Sequence, residues 1–182
     1  MNITNIKQHL LGSFLALAIV GALLTLPSAQ AAGSSPNQQT AHGSWTDCEH
    51  VTNVTDYGSY LVVDIELTTT FTGTFEGTLE VIEQDVFYPD GYVTVHLEGT
   101  FTGSVAGRGG GESDTVRMSN YEAFSLGGFP HRRDAVWIVD KGTGDLAGLR
   151  GVGSRTVFPT NPAPGCESTF FGTYEATISF GP

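Results

Sequence analysis

The sequence predicts an all-β chain folded as a closed antiparallel barrel of eight strands, connected as a calycin-like meander. Apolar and polar residues alternate with a period of two along much of the chain, as in strands with one dry and one wet face. Glycine recurs inside these stretches at hairpin spacing, and glycine within a strand marks a bend or a bulge. Because a sheet closes only when its strands are coiled and tilted, repeated bends favour a barrel.

The first clear strand is predicted over residues 57–71, where apolar residues occupy every second position from Leu61 onward. Its end, residues 71–77, recurs 30 residues later as residues 101–107, which indicates equivalent bends in successive hairpins. A Pro-Asp-Gly turn at residues 89–91 separates two strands. Further strands are predicted over residues 74–87, 92–101, 115–126, 135–139, 152–158 and 170–180.

Residues 1–31 have the pattern of a secretory signal peptide. Lys7 supplies a positive start, residues 10–26 are apolar and uncharged, and Ala-Gln-Ala at residues 29–31 is a small-x-small cleavage site. A retained anchor is the alternative, because the apolar run approaches the lower limit for a membrane span. Pro27 and the cleavage site favour removal. We therefore expect a secreted, periplasmic or extracellular protein with no membrane span after cleavage.

The rest of the chain divides into a lead and a domain. Residues 32–42 are small, polar and include a proline, so we expect a disordered lead. Residues 43–182 suffice for a single β-barrel domain with a sizeable core. The formal net charge of −11 repels the phosphates of nucleic acids and anionic lipids, so we expect neither as a partner.

Cys48 and Cys166 are the two cysteines of the sequence. In an exported protein an even pair indicates a disulfide. We place Cys48 before the first strand and Cys166 before the last, so a bridge would join the start of the sheet to its end. No Cys-x-x-Cys or His-x-x-x-His spacing accompanies them, and we expect neither a metal site nor a cofactor.

A glycine-rich run, residues 142–153, connects two strand-like segments. Leu146 and Leu149 are three apart with Asp145 in front, which predicts a capped single turn that buries both leucines. The run contains half of a dinucleotide-binding fingerprint, but its third glycine comes one residue late and no helix follows, so we do not expect nucleotide binding. Structural roles are assigned to Trp137 in the preceding strand and to Gly142, Gly144, Leu146, Gly148, Leu149 and Gly151.

Trp-Ile-Val at residues 137–139, followed by Gly-Thr-Gly-Asp-Leu-Ala-Gly-Leu-Arg-Gly at residues 142–151, resembles the signature of an uncharacterised, mostly bacterial family of small barrels. Phe-Thr-Gly-Thr-Phe-Glu-Gly at residues 71–77 and Gly-Thr-Tyr at residues 172–174 match that family as well. The family looks related to plant allene oxide cyclase. The resemblance implies an eight-stranded antiparallel barrel and, as in the cyclase relatives, a homo-oligomer.

The resemblance does not imply cyclase activity. This chain departs from the family pattern in its signal peptide, its cysteine pair and an insertion at residues 159–165. Family members often carry a His-x-Gly where this chain has Asn-Tyr-Glu at residues 120–122, so no functional histidine is carried over.

Polar residues at the alternate strand positions that otherwise hold apolar, inward-facing residues are the candidates for a functional site. An eight-stranded barrel is just wide enough to hold one small ligand. Glu83 and Asp85 continue the apolar parity of their strand, and Asn120 and Glu122 do so in a later strand. If this parity holds, all four point inward, and a desolvated carboxyl there can act as a general acid or base. A bulge over residues 82–86 would leave Glu83 in solvent, and we favour this second alternative because glycine-flanked strands commonly bulge.

Arg150 is the charge most closely tied to the signature. We expect it to donate hydrogen bonds to carbonyls that the glycine run leaves exposed. Binding of an anionic ligand group is the alternative, because binding residues concentrate on loops.

Three functions fit these expectations. The first is a non-catalytic barrel that binds a small apolar ligand. The second is a cofactor-free isomerase or cyclase in which an inward carboxyl or amide assists. The third is a filled barrel with a structural or oligomeric role only. The volume of the interior separates the third function from the others, because a solidly packed barrel leaves no room for a ligand.

Overall fold

The computed structural model describes residues 37–125 and 133–181. These residues form nine β-strands and one short 3₁₀ turn. The predicted signal peptide, residues 1–31, lies outside the described residues. The strands are β1 Gln38–Asp56, β2 Leu61–Gly73, β3 Phe75–Phe87, β4 Tyr92–Val105, β5 Arg108–Gly109, β6 Thr115–Ser125, β7 Arg133–Gly142, β8 Leu149–Thr160 and β9 Thr169–Phe180, and the 3₁₀ turn is Gly144–Leu146.

The strands form one antiparallel meander that closes on itself. Each long strand pairs with the next long strand along the chain, and β1 also pairs with β9. The ladder therefore runs through eight strands, β1 to β4 and β6 to β9, while β5 is a two-residue extension paired with the end of β4. This arrangement confirms the predicted all-β class and the closed eight-stranded antiparallel barrel. Within the described ranges, no helix is long and apolar enough to cross a membrane.

The N-terminal strand begins earlier than the sequence predicts. Residues 38–42, expected to belong to a disordered lead, are strand and pair with β9, from Gln38 opposite Ser179 to His42 opposite Glu175. That part of the prediction is wrong because β9, far along the chain, supplies hydrogen-bond partners that composition cannot reveal. The strand predicted at residues 57–71 is the second one and begins at Leu61.

The predicted disulfide between Cys48 and Cys166 is present, with the two Cα atoms 5.2 Å apart. Cys48 lies within β1 rather than before the first strand, and Cys166 precedes β9 as predicted. Beside the bridge, Glu49 forms an isolated bridge with Ser168, and the Phe170 N–H donates to Asp47 Oδ1. The disulfide therefore fastens the seam at which the first and last strands meet.

The two ends of the barrel interior differ in content. We call the end that carries the 3₁₀ turn the connector end, and the opposite end, with turns at residues 57–60 and 88–91, the loop end. Near the connector end, the ring of Phe75 lies 5.5 Å from those of Phe101 and Trp137 and 5.8 Å from that of Tyr174, in edge-to-face geometry. Such aromatic pairs add to the free energy gained from burial alone.

The glycine run closes the connector end. Leu146 and Leu149 are fully buried, which confirms the predicted turn that buries two leucines. Asp145 is not its cap: its backbone N–H donates instead to Asp114 Oδ1 at 2.8 Å. The N–H groups of Asp145 and Gly111 on the Asp114 carboxylate lower the pKa of that carboxyl.

Two glycines of the run are required by the close approach of the backbone. A Cβ at Gly142 would collide with the carbonyl of Leu146. Gly148 has φ +77°, and a Cβ there would lie 2.8 Å from the carbonyl oxygen of Gly181. The signature residues thus position the turn that seals one end of the interior.

Candidate functional site

The parity of β3 is unbroken. Its pairing with β2 and with β4 runs without a register shift through Glu83 and Asp85. Glu83 is 6% exposed and points into the barrel, whereas its neighbour Ile82 is 71% exposed. The favoured prediction, a bulge that leaves Glu83 in solvent, is therefore wrong. Within β3, φ is positive at Gly77 (+155°), several residues before Glu83.

Strand β6 brings Asn120 and Glu122 to the same region of the interior. Asn120 is 1% exposed and Glu122 is also buried, which confirms their inward parity. Asn120 Nδ2 donates to Glu122 Oε1 at 3.0 Å. Asp85 also follows the inward parity but is only half-buried, because it lies nearer the loop end.

Arg155 is the residue that the sequence analysis missed. It lies on β8 with the inward parity of Leu149 and Val157. Its Nη2 donates to Glu122 Oε1 at 2.9 Å, and its guanidinium carbon stands 4.6 Å from the centre of the Trp45 ring. Parity would have identified it, but glycines at the two preceding inward positions, 151 and 153, remove the apolar pattern that marks a strand.

Gly153 explains how the large side chains fit together. It lies directly opposite Trp137 in the β7–β8 ladder, and a Cβ at Gly153 would stand 2.8 Å from Cε2 of the indole. Trp137 in turn lies opposite Asn120 in the β6–β7 ladder. Asn120, Trp137 and Arg155 therefore surround one small volume.

The pKa of the Glu83 carboxyl differs from that of an exposed glutamate. Burial is the main cause that raises its pKa well above the ordinary value, and the negative charges of Asp85 and Glu49 raise it further. Arg155 acts in the opposite direction, and Glu122 adds a smaller upward effect. No hydrogen bond contributes to this shift. Glu83 is therefore a buried carboxyl of raised pKa in the same part of the interior as the ion pair between Glu122 and Arg155.

A small cavity lies between the aromatic cluster and these polar residues. The space open to the centre of a water molecule is about 20 Å³. It is lined by Phe71, Leu79, Leu97, Met118, Ser119, Asn120, Trp137, Arg155 and Tyr174. Three of the lining residues carry a buried polar atom without a hydrogen-bond partner in the described parts of the chain: Asn120 Oδ1, Trp137 Nε1 and Arg155 Nε. The residues that line the cavity thus include two buried N–H donors and one buried carbonyl acceptor without partners.

Arg150 lies apart from this site. It is exposed on the outer surface of β8, and its Nη1 donates to the carbonyl oxygen of Leu149 at 2.9 Å. The acceptor is the carbonyl of the preceding residue of the glycine run, and binding of an anionic ligand group by Arg150 stays a prediction. Within residues 37–125 and 133–181, no group of three or more His, Cys, Asp or Glu side chains is placed to hold a metal ion.

No protein-family model matches the chain, and no curated protein matches its sequence. Among solved structures, the chain is similar to a protein of unknown function from the DUF3224 family of Shewanella oneidensis MR-1. The two are 18% identical with a TM-score of 0.58, over 80% of this chain and 98% of that chain.

Two pterocarpan synthase dirigent proteins, GePTS1 and PsPTS1, show a weaker likeness. They are 12% and 11% identical to this chain, over 79% and 81% of it and 91% and 97% of their own chains. Both TM-scores are 0.49, too low to support a conclusion. At 18% identity, the first likeness establishes the fold alone: this chain shares its small β-barrel with a DUF3224 family protein of unknown function.

Proposed function

We propose that this chain is an exported barrel protein that binds a small, mostly apolar molecule inside the barrel. The ligand carries a single hydroxyl or carbonyl oxygen, which takes the place next to Asn120, Trp137 and Arg155. Its apolar part lies against the side chains of Phe71, Leu97 and Met118, which line the same cavity.

The observation that carries this proposal is the set of three buried polar atoms without partners. A buried polar atom left without a hydrogen bond costs about 1–3 kcal/mol, so native interiors contain few of them. Here three belong to residues that line one cavity. A hydroxyl oxygen accepts two hydrogen bonds and donates one, which matches two N–H groups and one carbonyl oxygen. A carbonyl oxygen satisfies the two donors only.

Hydrogen bonds on the far side of the site hold two of these atoms in place. Asn120 uses its amide N–H, and Arg155 its Nη2, on the same Glu122 oxygen. The amide oxygen of Asn120 and the Nε–H of Arg155 therefore stay available for a ligand. Such preorganisation lowers the entropy that a ligand would lose on binding.

The cavity volume limits how a ligand enters. About 20 Å³ suffices for one water molecule, whereas ligand pockets usually measure hundreds of cubic ångströms. A ligand larger than water must displace side chains, and the unbranched Met118 and Arg155 are the lining residues with the most rotatable bonds. We therefore expect slow association, governed by opening of the interior.

The two tryptophans provide the test. The sequence contains Trp45 and Trp137 only, and both are buried in the barrel. Cyclohexanol, cyclohexanone and methylcyclohexane, which are similar in size, should be titrated against the disulfide-bonded chain with tryptophan emission as the readout. We expect the alcohol to bind most tightly, then the ketone, and the hydrocarbon least. Native mass spectrometry after incubation with cell extracts then identifies the natural ligand.

A pair of variants controls this experiment. Asn120→Leu removes the acceptor and should abolish the preference for alcohol over ketone. Gln84→Leu replaces an amide side chain on the outer surface of β3 and should leave the preference unchanged. If all three probes leave the emission of the parent chain unaltered and extracts yield no bound mass, the barrel is a filled structural barrel and the proposal is wrong.

Acid–base catalysis is a second candidate function, favoured by the two carboxyls with different surroundings. Burial raises the pKa of the Glu83 carboxyl, and Arg155 forms an ion pair with Glu122. Two carboxyls whose surroundings push their pKa values apart can serve as general acid and general base, as a cofactor-free isomerase or cyclase would require. Glu83→Gln and Glu122→Gln should be compared for ligand turnover and ligand affinity. Lost conversion with retained affinity supports catalysis, and unchanged conversion contradicts it.

We also propose, from the sequence pattern, that residues 1–31 are removed on export and that the glycine signature reflects a relation to the allene oxide cyclase barrels. The mass of the protein recovered outside the cytoplasm tests the first point. A mature chain that starts at residue 32 is expected, and an intact N-terminus would contradict it.

A further inference from the structure

Four of the six tyrosines of the chain lie together at the loop end, in or beside the two turns described there. These turns are neighbours because the pairing of β2 with β3 ends at Leu61 opposite Phe87, and the residues beyond that pair continue side by side. We call the four side chains the tyrosine cluster: Tyr57, Tyr60, Tyr88 and Tyr92.

The rings of the tyrosine cluster follow one another in a row. The centroids of the Tyr57 and Tyr60 rings are 4.9 Å apart in a stacked pair. The Tyr88 ring lies 6.2 Å from that of Tyr60, and the Tyr92 ring lies 6.2 Å from that of Tyr88, both in tilted pairs. Tyr57, Tyr88 and Tyr92 nevertheless stay exposed over two-fifths or more of their surface. The cluster therefore presents aromatic surface to the solvent.

Backbone hydrogen bonds hold both turns in place. In the first turn, the Tyr57 N–H donates to the carbonyl oxygen of Tyr60 at 3.0 Å. In the second, the Tyr88 N–H donates to the carbonyl oxygen of Tyr92 at 2.9 Å. The exposed rings are therefore carried by ordered backbone, so a ligand that contacts them has less chain entropy to remove.

One aspartate at each turn adds negative charge near the rings. Asp56 Oδ1 accepts a hydrogen bond from the Gly58 N–H at 2.6 Å. Asp90 Oδ1 accepts one from the Tyr92 N–H at 3.0 Å. Both aspartates are exposed, and within the described parts of the chain their second carboxylate oxygens make no hydrogen bond. Neither turn contains a Lys or an Arg.

We propose that the tyrosine cluster binds a small organic cation with a methylated ammonium group. The face of an aromatic ring carries partial negative charge and attracts a cation within about 6 Å of its centroid. Ring centroids 6.2 Å apart allow one ammonium group to stand within that distance of two rings. Methyl groups suit ring faces better than the strongly hydrated ammonium of a lysine does. The carboxylates of Asp56 and Asp90 supply the opposite charge.

The charge of the chain indicates which form of this cation fits. A formal net charge of −11 attracts cations to the surface. The same ammonium group in a phosphocholine headgroup is attached to a phosphate, which the carboxylates of Asp56 and Asp90 repel. We therefore expect a free cation rather than a lipid headgroup.

This site is separate from the cavity in which we place the apolar ligand. None of the residues that line that cavity belongs to either turn. Residues 126–132, which follow Ser125 opposite Tyr92 in the β4–β6 ladder, lie outside the described residues and form no part of the site.

Choline and 3,3-dimethylbutan-1-ol test the proposal, because they have the same shape and differ in the charge of one atom. Each should be titrated into the millimolar range against the full disulfide-bonded chain at constant ionic strength, with the NMR signals of the tyrosine rings as readout. We expect choline to bind about fivefold more tightly than the uncharged alcohol. Phosphocholine should bind more weakly than choline, and equal affinity for these two would overturn the choice of a free cation.

Variants of two exposed tyrosines locate the site. Tyr88→Leu removes a ring but keeps an apolar side chain, and it should weaken choline binding about fivefold. Tyr88→Phe keeps the ring and should bind choline within about twofold of the parent chain. Tyr121→Leu is the matched control, because Tyr121 is 57% exposed but its ring stacks on His96 and not on the cluster. It should leave the affinity for choline unchanged.

Asp90→Asn tests the contribution of charge. Asparagine keeps the Oδ1 acceptor for the Tyr92 N–H and removes the negative charge. This variant should bind choline about threefold more weakly at low salt and should bind the uncharged alcohol like the parent chain. Equal changes for the two probes would mean that the carboxylate does not act through its charge.

Thermal unfolding should show that the variants retain the parent fold, and Tyr92→Leu supplies the same test if Tyr88→Leu does not. Equal affinities of the parent chain for choline and for the uncharged alcohol overturn the proposal. So do equal losses of choline affinity in Tyr88→Leu and Tyr121→Leu. None of these results bears on the ligand of the interior, because tryptophan emission reports that binding separately.

Discussion

At the connector end of the barrel, the inward positions of the strands hold Phe75, Phe101 and Tyr174, whose rings meet edge to face, and two leucines of the glycine run complete the seal. At the loop end, inward positions of the same strands or their neighbours hold Glu83 and Glu122, with Asn120 and Arg155 beside them. The backbone ladder is continuous from one end to the other. Along these strands the two halves therefore differ in the side chains that they direct inward.

We assign stability chiefly to the aromatic half of the interior and function to the polar half. Burial of aromatic rings stabilises the fold, whereas a buried ion pair often stabilises no more than apolar residues of the same volume would. A barrel filled only for stability would gain nothing from a buried glutamate and three buried polar atoms without hydrogen-bond partners. The polar half is therefore the region in which we place ligand binding, and the aromatic half is the support that holds it.

The largest effect should come from the aromatic half. Phe101→Ala removes a fully buried ring from the cluster and should lower the free energy of unfolding by about 3–5 kcal/mol. Ile82→Ala, on the outer surface of the neighbouring strand, should change it by less than about 0.5 kcal/mol. Urea denaturation of both variants measures the difference. Comparable losses would mean that the cluster does not support the barrel.

Breaking the ion pair in the polar half should have the next largest effect. Arg155→Met removes the guanidinium that holds Glu122 and should destabilise the chain by about 3 kcal/mol, because the carboxylate stays buried with one partner fewer. In the Arg155→Met background, Glu122→Gln should restore part of that stability. A double-mutant cycle measures the coupling between the two residues. Simple additivity would show that the pair does not act as a unit.

Glu83 should make the polar half sensitive to pH. Its pKa is higher in the folded chain than in the unfolded chain, chiefly because of burial. Its contribution to stability is therefore fully present below its unfolded pKa and is lost as pH rises through its folded pKa. Glu83→Gln cannot ionise, so the stability of this variant relative to the parent should increase with pH over that window. Each unit of pKa difference corresponds to about 1.4 kcal/mol.

Urea denaturation at a series of pH values, from about pH 4 to about pH 8, provides the measurement. Asp85, Glu49, Glu122 and Arg155 remain in both proteins, so the difference between the two curves isolates Glu83. A constant difference over the whole range would show that Glu83 titrates like an exposed glutamate.

The smallest effect compares one glycine from each end. Gly148 in the connector run and Gly58 in a loop-end turn both have positive φ, +77° and +79°. Alanine at either position should cost about 1 kcal/mol for the left-handed conformation. At Gly148 the new Cβ also approaches the Gly181 carbonyl oxygen, whereas nothing lies within 4 Å at Gly58. Thermal unfolding should therefore show a larger loss of stability for Gly148→Ala than for Gly58→Ala. Equal losses would mean that the backbone of the glycine run shifts to accommodate the new Cβ.

The alternation of residues was sufficient to predict the barrel and the inward parity of Asn120 and Glu122, because a strand has only two faces. Alternation also places Glu83 inside the barrel, but we predicted a bulge that would turn it outward, and that prediction was wrong. Arg155 was not predicted, because Gly151 and Gly153 interrupt the alternation of apolar and polar residues in β8. Gly153 is also the residue whose missing side chain leaves room for the Trp137 ring.

Other features depend on partners that are remote in the sequence. The turn at Asp145 is held by Asp114, 31 residues earlier, and the start of β1 is held by the end of β9. A single sequence does not show which residues meet. The volume of the cavity depends on the packing of nine side chains from several strands, and residue types alone do not determine it.

The pairing of β1 with β9 has a consequence for when the chain can complete its fold. The barrel cannot close before β9 has been synthesised, because β9 completes the ladder with β1 and Cys166 follows Cys48 by 118 residues. Until then the N-terminal strand has one unsatisfied edge. The hydrogen bonds between β1 and β9 need no oxidant, whereas the disulfide that fastens them forms only in a compartment that supplies one.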